Sequence, residues 1–591
     1  MPCCRSGCPQ GRHGRPWPDQ QLRAAYCKNL SLDAQRIIPA GSTLVACKKN
    51  DDVPGSNFTL GDATLTESGL EKDTHLRDRV DALESELTAL RVSRSWRLTA
   101  PLRALHRTLQ PGPATWSHTR LTARLTAAGP WLALVVMTSV LVAYGGLLPL
   151  GHWQGDEYFQ GAFARDGGLS YLVGRLLGSS PRPVSEIVLF AYYWLVATLQ
   201  RPLIQPFLLA HWMMLALACF ASMRWRPRES LVWRGLLGAS LLCLFLVGHD
   251  VTELFFWPDA VAPYLETLAA LLLLMFLTLD GRADTRLGGL AGIACLTLAA
   301  GSSEAGAMFV LPYTALRLAA CLRRQPGRRL ACAAGWGVPL VGAAIVLMAI
   351  AVSSRVAGTE PVPGAATLHR PLASLLASLQ QFVGELIALD DRPPRAAGLV
   401  QGLAIKLLVF FALRWCWRLA APNARRPVGL VAFAVAAVAA TFGTIAAAEY
   451  QFGAICCSRH ATLRQCWIIL AIAGLAARSA PNLVGPWARL LTPILLVAAV
   501  GLAFLPRMPG LVGDYGLRAA AIEARSDTWR SGLAPGPAMT WYPPPDGRIV
   551  HSGDLPPGHF VLSDRPPWWA LGLLQFFHKR TVDIEAAGAR S

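Results

Sequence analysis

Charged residues are scarce in this chain, and the short motifs of soluble hydrolases and nucleotide-binding enzymes are missing. Asp, Glu, Lys and Arg make up only 16% of the 591 residues, whereas 53% are hydrophobic. The sequence contains no G-x-x-x-x-G-K-[ST], G-x-S-x-G or H-E-x-x-H motif. These absences argue against a P-loop enzyme, an α/β-hydrolase and a zinc peptidase, and the composition is typical of a membrane protein.

The N-terminal region lacks both a long apolar segment and a metal-binding cysteine pattern. The first 120 residues contain no apolar core of a signal peptide, so we expect no secretory leader. The cysteines before residue 50 do not show the paired C-x₂-C spacing of a zinc site. We therefore expect residues 1–70 to be a disordered basic and polar leader, and we predict no metal site.

A short heptad pattern follows the leader. Leucine or valine recurs at alternating spacings of four and three residues from Leu76 to Leu90, with charges between them. The pattern predicts either a cytoplasmic coiled coil, through which the chain associates with itself or with a partner, or one amphipathic helix on the membrane. We assign this element to residues 71–110.

Long apolar runs dominate the rest of the chain and predict an all-α polytopic membrane protein. About eleven runs approach the ~20 residues that an α-helix needs to cross a bilayer. Together they define a predicted membrane domain over residues 129–506. The runs are 129–150, 204–223, 231–248, 260–279, 287–302, 305–321, 331–353, 400–417, 428–447, 465–480 and 489–506.

Residues 184–200 form a further apolar run, which leaves the number of membrane spans open. If this run crossed the membrane, the RWRPR sequence at 224–228 would face outward. That orientation would oppose the rule that short cytoplasmic loops collect Lys and Arg. We therefore expect surface-lying helices in the first outer loop, and twelve spans are the alternative.

The surplus of positive charge follows the same rule. The formal net charge is +18, and Arg-rich sequences separate apolar runs at 323–329 and 414–418. This distribution predicts membrane topology with a cytoplasmic N-terminus, rather than nucleic-acid binding. Residues 507–591 would then be a small extracytoplasmic region with turns and short strands.

Polar residues collect in the loops that are predicted to face outward. The acidic pair Asp156-Glu157 follows the first span directly, and a carboxylate there can act as a general base. Arginine suits phosphate oxygens, and an aromatic ring can stack against a sugar or a prenyl chain. We predict Asp156 and Glu157 as catalytic residues, with Asp156 as the first choice for the base. The predicted substrate-binding residues are Arg175, Asp250, Glu253, Trp257, Asp259, Arg459 and His460.

Two features resemble known cell-envelope proteins. Residues 93–109, SRSWRLTAPLRALHRTL, resemble an S-W-R-L/I-T-x-P-L-R segment found beside coiled coils in bacterial polysaccharide glycosyltransferases. The spans, with an acidic motif in the first outer loop, resemble the GT-C glycosyltransferase superfamily. The resemblance implies a multi-pass enzyme of the bacterial inner membrane, surrounded by membrane lipids. It would transfer a sugar from a polyprenyl-phosphate donor to an envelope glycan or lipid on the outer face. No cofactor is required, and no residue pattern indicates a divalent metal.

Two other classes of function stay open. A transporter or flippase of a lipid-linked saccharide would have similar spans, although no internal repeat is visible. A non-catalytic component of a polysaccharide assembly machine could be recruited through residues 76–90. For Asp156-Glu157, the alternative is an acidic pair that only caps and solvates a loop.

Overall fold

The computed structural model describes most of the chain from Arg120 onward, together with the isolated residues Ala82 and Ser85. The predicted leader, nearly all of the heptad and the 93–109 segment lie outside the described residues, as do 224–227 and Arg425-Arg426. The gaps after Arg120 are 221–227, 282–284, 326, 328, 354–366, 390–395, 422–428, 454, 456, 482–483, 553–554, 565 and 586–591.

The described part of the chain is mainly α-helical, as the apolar runs predict. Each predicted run overlaps one helix, and the 184–200 run is also helical. The helices up to residue 504 are α1 (Arg120–Gly145), α2 (Gly155–Gly174), α3 (Pro183–Leu199), α4 (Ile204–Phe220), α5 (Arg228–Val247), α6 (Pro258–Leu279), α7 (Arg286–Ser302), α8 (Glu304–Arg324), α9 (Arg329–Ala351), α10 (Pro371–Ile387), α11 (Ala396–Ala420), α12 (Gly429–Phe452), α13 (Ser458–Arg478) and α14 (Pro486–Phe504).

Eight stretches of the described residues are long and apolar enough to cross a membrane. They contain α1, α6, α8, α9, α11, α12, α13 and α14. Four shorter apolar helices, α3, α4, α5 and α7, accompany them. The prediction of a helical membrane protein is thus confirmed in its main feature.

The helix ends define two ends of the bundle. At the upper end, α1, α5 and α7 finish and α6, α8 and α13 begin. Hydrogen bonds join these termini, because Ser302 Oγ donates to Glu266 Oε2 and Thr462 Oγ1 donates to the Asp250 carbonyl. At the lower end, the Arg234 guanidinium pairs with Asp280 and donates from Nε to the Ala420 carbonyl at 3.0 Å.

Helix α3 runs across the upper end. Near its N-terminus, Ser185 Oγ donates to the Ser302 carbonyl at the end of α7, over 2.7 Å. Further along, the Tyr192 hydroxyl accepts a 2.9 Å hydrogen bond from Trp153, which follows α1. The helix therefore begins and continues at the same end of the bundle.

Helix α10 is an element that the search for apolar runs missed. It enters beside the upper part of α12, where the His369 N–H donates to the Tyr450 carbonyl at 3.0 Å. Deeper in the bundle, the rings of Phe382 and Phe442 are 5.6 Å apart. Glu385 then meets Arg464, which lies about 9 Å into α13 at 1.5 Å per residue. Helix α10 therefore descends into the bundle and ends there.

Buried charged groups fix the end of α10. Arg464 donates to both carboxylate oxygens of Glu385, with Nε–Oε2 at 2.8 Å and Nη2–Oε1 at 2.7 Å. Lys406 of α11 donates from Nζ to the carbonyls of Glu385, Leu386 and Ala388, at 2.6, 3.0 and 2.6 Å. The last carbonyls of a helix have no partner within the helix, so the ammonium group satisfies them and complements the helix dipole.

A disulfide joins Cys321 of α8 to Cys332 of α9. These two cysteines therefore do more than fill space as small apolar residues. The bond closes the α8–α9 hairpin beside Arg323 and Arg324. The charge pattern assigns this turn to the cytoplasm, where most proteins keep thiols reduced, so the two features point to opposite sides of the membrane.

The C-terminal region contains the predicted short strands and one long helix that was not predicted. Helix α15 (Met508–Leu533) precedes β1 (Ala538–Trp541), β2 (Gly558–Val561), α16 (Trp568–Phe576) and β3 (Thr581–Ile584). The strands form a sheet of order β1-β3-β2, in which β3 pairs parallel to β1 and antiparallel to β2.

Two glycines allow α16 to pack closely on α2. A Cβ atom at Gly155 would lie 2.4 Å from Cβ of Trp569, and one at Gly572 would lie 2.9 Å from the backbone nitrogen of Phe159. A side chain at either position would force the helices apart. The C-terminal region thus sets the position of the helix that begins with the acidic pair.

The Glu385–Arg464 pair gives a test of the packing around α10. Glu385→Gln should destabilise the protein by ~3 kcal/mol, because it leaves the Arg464 guanidinium buried without a carboxylate. Adding Arg464→Met should recover part of that loss. Arg530→Gln is the control, since the Arg530 side chain is 78% exposed and its pair with Asp527 should contribute ~1 kcal/mol or less. Thermal unfolding in one detergent measures these changes in stability. If the double variant loses as much stability as the two single variants together, Glu385 and Arg464 do not stabilise each other.

Candidate functional site

The two members of the acidic pair occupy different environments. Both lie in the first turn of α2. Glu157 is fully buried, and its Oε2 accepts the Gln154 N–H at 2.8 Å, so it completes a capping box. Asp156 is partly exposed. The alternative that the pair caps a structural element therefore fits Glu157 better than Asp156.

Asp259, in the first turn of α6, joins the acidic pair to a distant part of the chain. Its Oδ1 accepts a 3.0 Å hydrogen bond from Gln160 Nε2, which lies one turn beyond the pair in α2. Burial raises the pKa of Glu157 well above 4.5, and the neighbouring Asp259 and Asp156 raise it further. Carboxylates separated by about a hundred positions thus share one site.

Two buried polar atoms of the site are unsatisfied. Within the described part of the chain, neither Glu157 Oε1 nor the Tyr193 hydroxyl has a hydrogen-bond partner. Glu157 and Asp259 are also electrostatic neighbours of Tyr193. A buried polar atom without a partner costs about 1–3 kcal/mol, so this site can receive a hydroxyl group or a water molecule.

Arg175 lies in a network of charged groups rather than facing open space. Its Nε and Nη2 donate to the two oxygens of Glu186, at 2.7 and 2.9 Å. The buried Arg182 reaches Glu186 at 3.1 Å and Glu304 of α8 at 3.7 Å. Because Arg175 already holds a carboxylate with two hydrogen bonds, its assignment as a substrate-binding residue would require it to change partners.

Arg459 lies at the start of α13, next to Trp257. Its guanidinium carbon is 4.8 Å from the centre of the indole ring, which places the cation over the aromatic face. Its backbone N–H donates to Glu253 Oε2 at 3.2 Å, and its Nη1 is 3.9 Å from the same oxygen. The indole N–H of Trp257 is buried and finds no acceptor among the described residues. Arg459 and this N–H are both donors suited to an anion.

The other two predicted binding residues are held by local contacts. His460 lies 2.8 Å from the Tyr264 hydroxyl through Nε2. Asp250 Oδ1 accepts the Thr252 N–H at 3.0 Å, and so it fixes the turn before α6. Thr252 in turn donates from Oγ1 to the Ile549 carbonyl at 3.0 Å, which docks the C-terminal region on this turn. Asp250 therefore helps to shape the turn that borders the site.

The structure brings most of the predicted residues to the upper end around Asp259. Glu157, Arg175 and Arg459 each interact electrostatically with Asp259. Sequence reasoning missed Gln160, Tyr193 and Tyr264, and the helical spacing of Gln160 from the acidic pair was the one available signal. In the regions that the structure describes, no group of three His, Cys, Asp or Glu side chains could hold a metal ion.

The raised pKa of Glu157 predicts a distinct dependence of stability on pH. The folded protein keeps the Glu157 proton at pH values where the unfolded chain, with a pKa near 4.5, has lost it. Stability should therefore fall as pH rises from about 4.5 to the pKa of the folded state, by ~1.4 kcal/mol for each step of one in pH.

Glu157→Gln should remove this fall while keeping the shape of the side chain. The melting temperature of the variant should match wild type near pH 4.5 and exceed it increasingly at higher pH. Glu523→Gln, at an exposed carboxylate of α15, should follow the wild-type curve. If the melting temperatures of Glu157→Gln and wild type change in parallel from about pH 4.5 to 8, Glu157 is ionised in the folded protein.

Comparisons of the chain with protein-family models, curated proteins and solved structures found no match.

Proposed function

We propose that the protein is a membrane glycosyltransferase similar to the GT-C type. It transfers one sugar from a polyprenyl-phosphate donor to an envelope glycan or lipid at the outer face of the bacterial inner membrane. In this proposal about eleven helices span the membrane, α3 lies on the outer surface, the N-terminus is cytoplasmic and residues 507–591 are extracytoplasmic. The upper end of the bundle is then the outer end.

The observation that carries the proposal is the group of carboxyl groups and arginines around Asp259. The first outer loop contributes Glu157 and Arg175, and the start of α13 contributes Arg459. A transfer of this kind needs a base for the acceptor and cations for the departing phosphate. A site that excludes water strengthens both kinds of interaction.

The proposed reaction is a single displacement at the anomeric carbon of the donor. The acceptor oxygen attacks this carbon while its hydroxyl proton moves to the Asp156 carboxylate. The bond between the anomeric carbon and the phosphate oxygen breaks, and the electron pair leaves with polyprenyl phosphate. Arg459 and the Trp257 N–H stabilise the phosphate, and Asp259 holds the surrounding cations in place.

Asp156→Asn should lower the rate of transfer by ~100-fold or more, because it removes the base and keeps the side-chain size. Arg459→Ala should instead raise the KM for the donor by ~10-fold, the effect of losing a charge-assisted hydrogen bond. Transfer from a labelled polyprenyl-phosphate sugar in vesicles measures both effects. Glu523→Gln is the control for expression and insertion, since it lies outside the proposed site.

Near-normal transfer by Asp156→Asn, with loss of transfer by Glu157→Gln, would move the base to Glu157. Normal transfer by both variants would contradict a catalytic role for the pair. Unchanged donor KM in Arg459→Ala would remove the phosphate assignment and leave the question of the base unaffected.

One observation favours a second candidate, a transporter or flippase of a lipid-linked saccharide. Helix α10 ends inside the bundle beside the buried Glu385–Arg464 pair, and discontinuous helices of this kind form binding sites in transporters. A transporter moves its substrate without changing it. Recovery of the labelled sugar still attached to its lipid, on the opposite side of the vesicle, would favour this candidate over transfer.

A further inference from the structure

The Cys321–Cys332 disulfide lies near the tip of the α8–α9 hairpin. Cys321 is in the last turn of α8, and Cys332 is in the first turn of α9. Residues 322–325 and 329–331, which flank the bond along the chain, are exposed. The arginines in these stretches keep the tip at the water side of the membrane surface, so a dissolved reactant can reach it.

The charge of the tip determines its compartment in the proposed topology. Arg323 and Arg324 end α8, and Arg329 begins α9. Short loops rich in Arg stay in the cytoplasm, and the cytoplasm keeps protein thiols reduced. Disulfides that do form there are usually transient and serve catalysis or redox sensing. A bond at this tip is therefore expected to open and close.

The two sulfurs differ in their access to an attacking thiolate. Cys321 is half-buried, whereas Cys332 is only 3% exposed. Thiol–disulfide exchange begins when a thiolate attacks one sulfur of the bond, and the other sulfur then leaves as a thiolate. The difference in exposure directs the attack to Cys321 and makes Cys332 the leaving group.

The helix dipoles favour the same direction of exchange. A helix carries partial positive charge at its N-terminus and partial negative charge at its C-terminus. Negative charge on Cys332, in the first turn of α9, is therefore stabilised, whereas negative charge on Cys321, in the last turn of α8, is not. Arg324 and Arg329 each lie three positions from one of the two cysteines, so the arginines favour a thiolate at both and the dipoles decide between them.

Other contacts hold the hairpin together above the bond. The guanidinium carbon of Arg317 in α8 lies 4.7 Å from the centre of the Trp336 ring in α9. The ring of Tyr313, also in α8, lies 6.1 Å from the same indole ring. These contacts keep α8 and α9 packed when the disulfide opens. Reduction then frees the arginine-rich turn without unfolding the hairpin.

We propose that Cys321 and Cys332 form a reversible thiol–disulfide exchange site at the cytoplasmic membrane surface, with a dithiol as the reaction partner. A thiolate of the partner attacks Cys321 Sγ, forms a mixed disulfide and displaces Cys332 as a thiolate, which takes up a proton. The second thiol of the partner then attacks its own neighbouring sulfur in the mixed disulfide and releases Cys321.

The exchange balances between the two molecules. The chain gains two electrons and two protons, and the partner leaves as a disulfide. In the reverse direction, an oxidised partner closes the bond between Cys321 and Cys332. The inference rests on the proposed orientation of the hairpin and is independent of sugar transfer.

The state of the pair in cells tests whether the bond is reversible. Free thiols of the full-length protein are blocked in intact cells with N-ethylmaleimide, and cysteines released later by reduction in denaturant receive a maleimide–polyethylene glycol tag. The Cys321→Ser/Cys332→Ser double variant accounts for the other cysteines of the chain. Wild type should carry no more tags than this variant in untreated cells, two more after brief exposure to the thiol oxidant diamide, and no more again once diamide is washed out.

Two results of this experiment would overturn the proposal. Two additional tags in untreated cells, unchanged by the treatments, would show a permanent structural bond. No additional tags after diamide would show that the pair does not form the bond in the cell. Cys295→Ser, which removes a buried cysteine without a bond, is the matched control and should follow wild type.

Purified protein tests the direction of exchange, with reduced glutathione as the probe. After quenching with acid and digestion, mass spectrometry should find glutathione on Cys321 at least ~5-fold more often than on Cys332, the ratio that a helix-dipole preference gives. Equal or reversed labelling would overturn the assigned direction, and loss of helical circular dichroism on reduction would overturn reversibility. Neither readout depends on transfer by Asp156→Asn, so this proposal and the proposed function fail separately.

Discussion

A charge inside an apolar helical bundle must find a partner, because neither lipid nor packed side chains can replace its hydration. The lower end shows the simplest solution, where Arg234 pairs with Asp280. In the interior, Glu385 pairs with Arg464, and Lys406 caps the end of α10. These contacts tie α5 to α6, and α10 to α11 and α13. The same groups that would destabilise the bundle if unpaired therefore determine how its helices are arranged.

The upper end departs from this rule, and the departures coincide with the proposed chemistry. Glu157 is buried with one unsatisfied oxygen, and the Trp257 N–H finds no acceptor among the described residues. Arg525 donates to the carbonyls of Gly151 and Pro149, and among the described residues it forms no ion pair with a carboxylate. The α2–α16 contact through Gly155 and Gly572 sets the position of the helix that carries Glu157. Unsatisfied groups persist where the surrounding structure holds them, and they are the groups that a substrate can satisfy.

The main features of the fold were predictable because they depend on local composition. Every predicted apolar run overlaps a helix, and the 184–200 run is helical as well. Helix α10 was missed because PLASLLASLQQFVGELI is short and amphipathic, with Ser, Gln and Glu on its buried side. A test for long apolar runs cannot recognise a helix that ends inside a bundle. Arg464 and Lys406, which come from neighbouring helices, are the partners of this polar face.

The sequence predicted which end of the fold holds the candidate site, but it did not predict which side chains pair there. Sequence reasoning placed Asp156, Asp259 and Arg459 on the same side of the membrane, because the predicted topology puts their loops on one side. It could not show that Arg175 is held by Glu186 or that Asp250 closes a turn, since these contacts depend on the fold of loops.

We propose that the upper end holds the phosphate of a lipid-linked donor between Arg459 and Trp257. An experimental structure with a non-hydrolysable polyprenyl-phosphonate sugar analogue tests it most directly. Phosphonate oxygens should lie within about 3 Å of the Arg459 guanidinium, and the sugar ring should be directed toward Asp156. A phosphonate bound at the lower end, or beside Lys406 in the interior of the bundle, would contradict it.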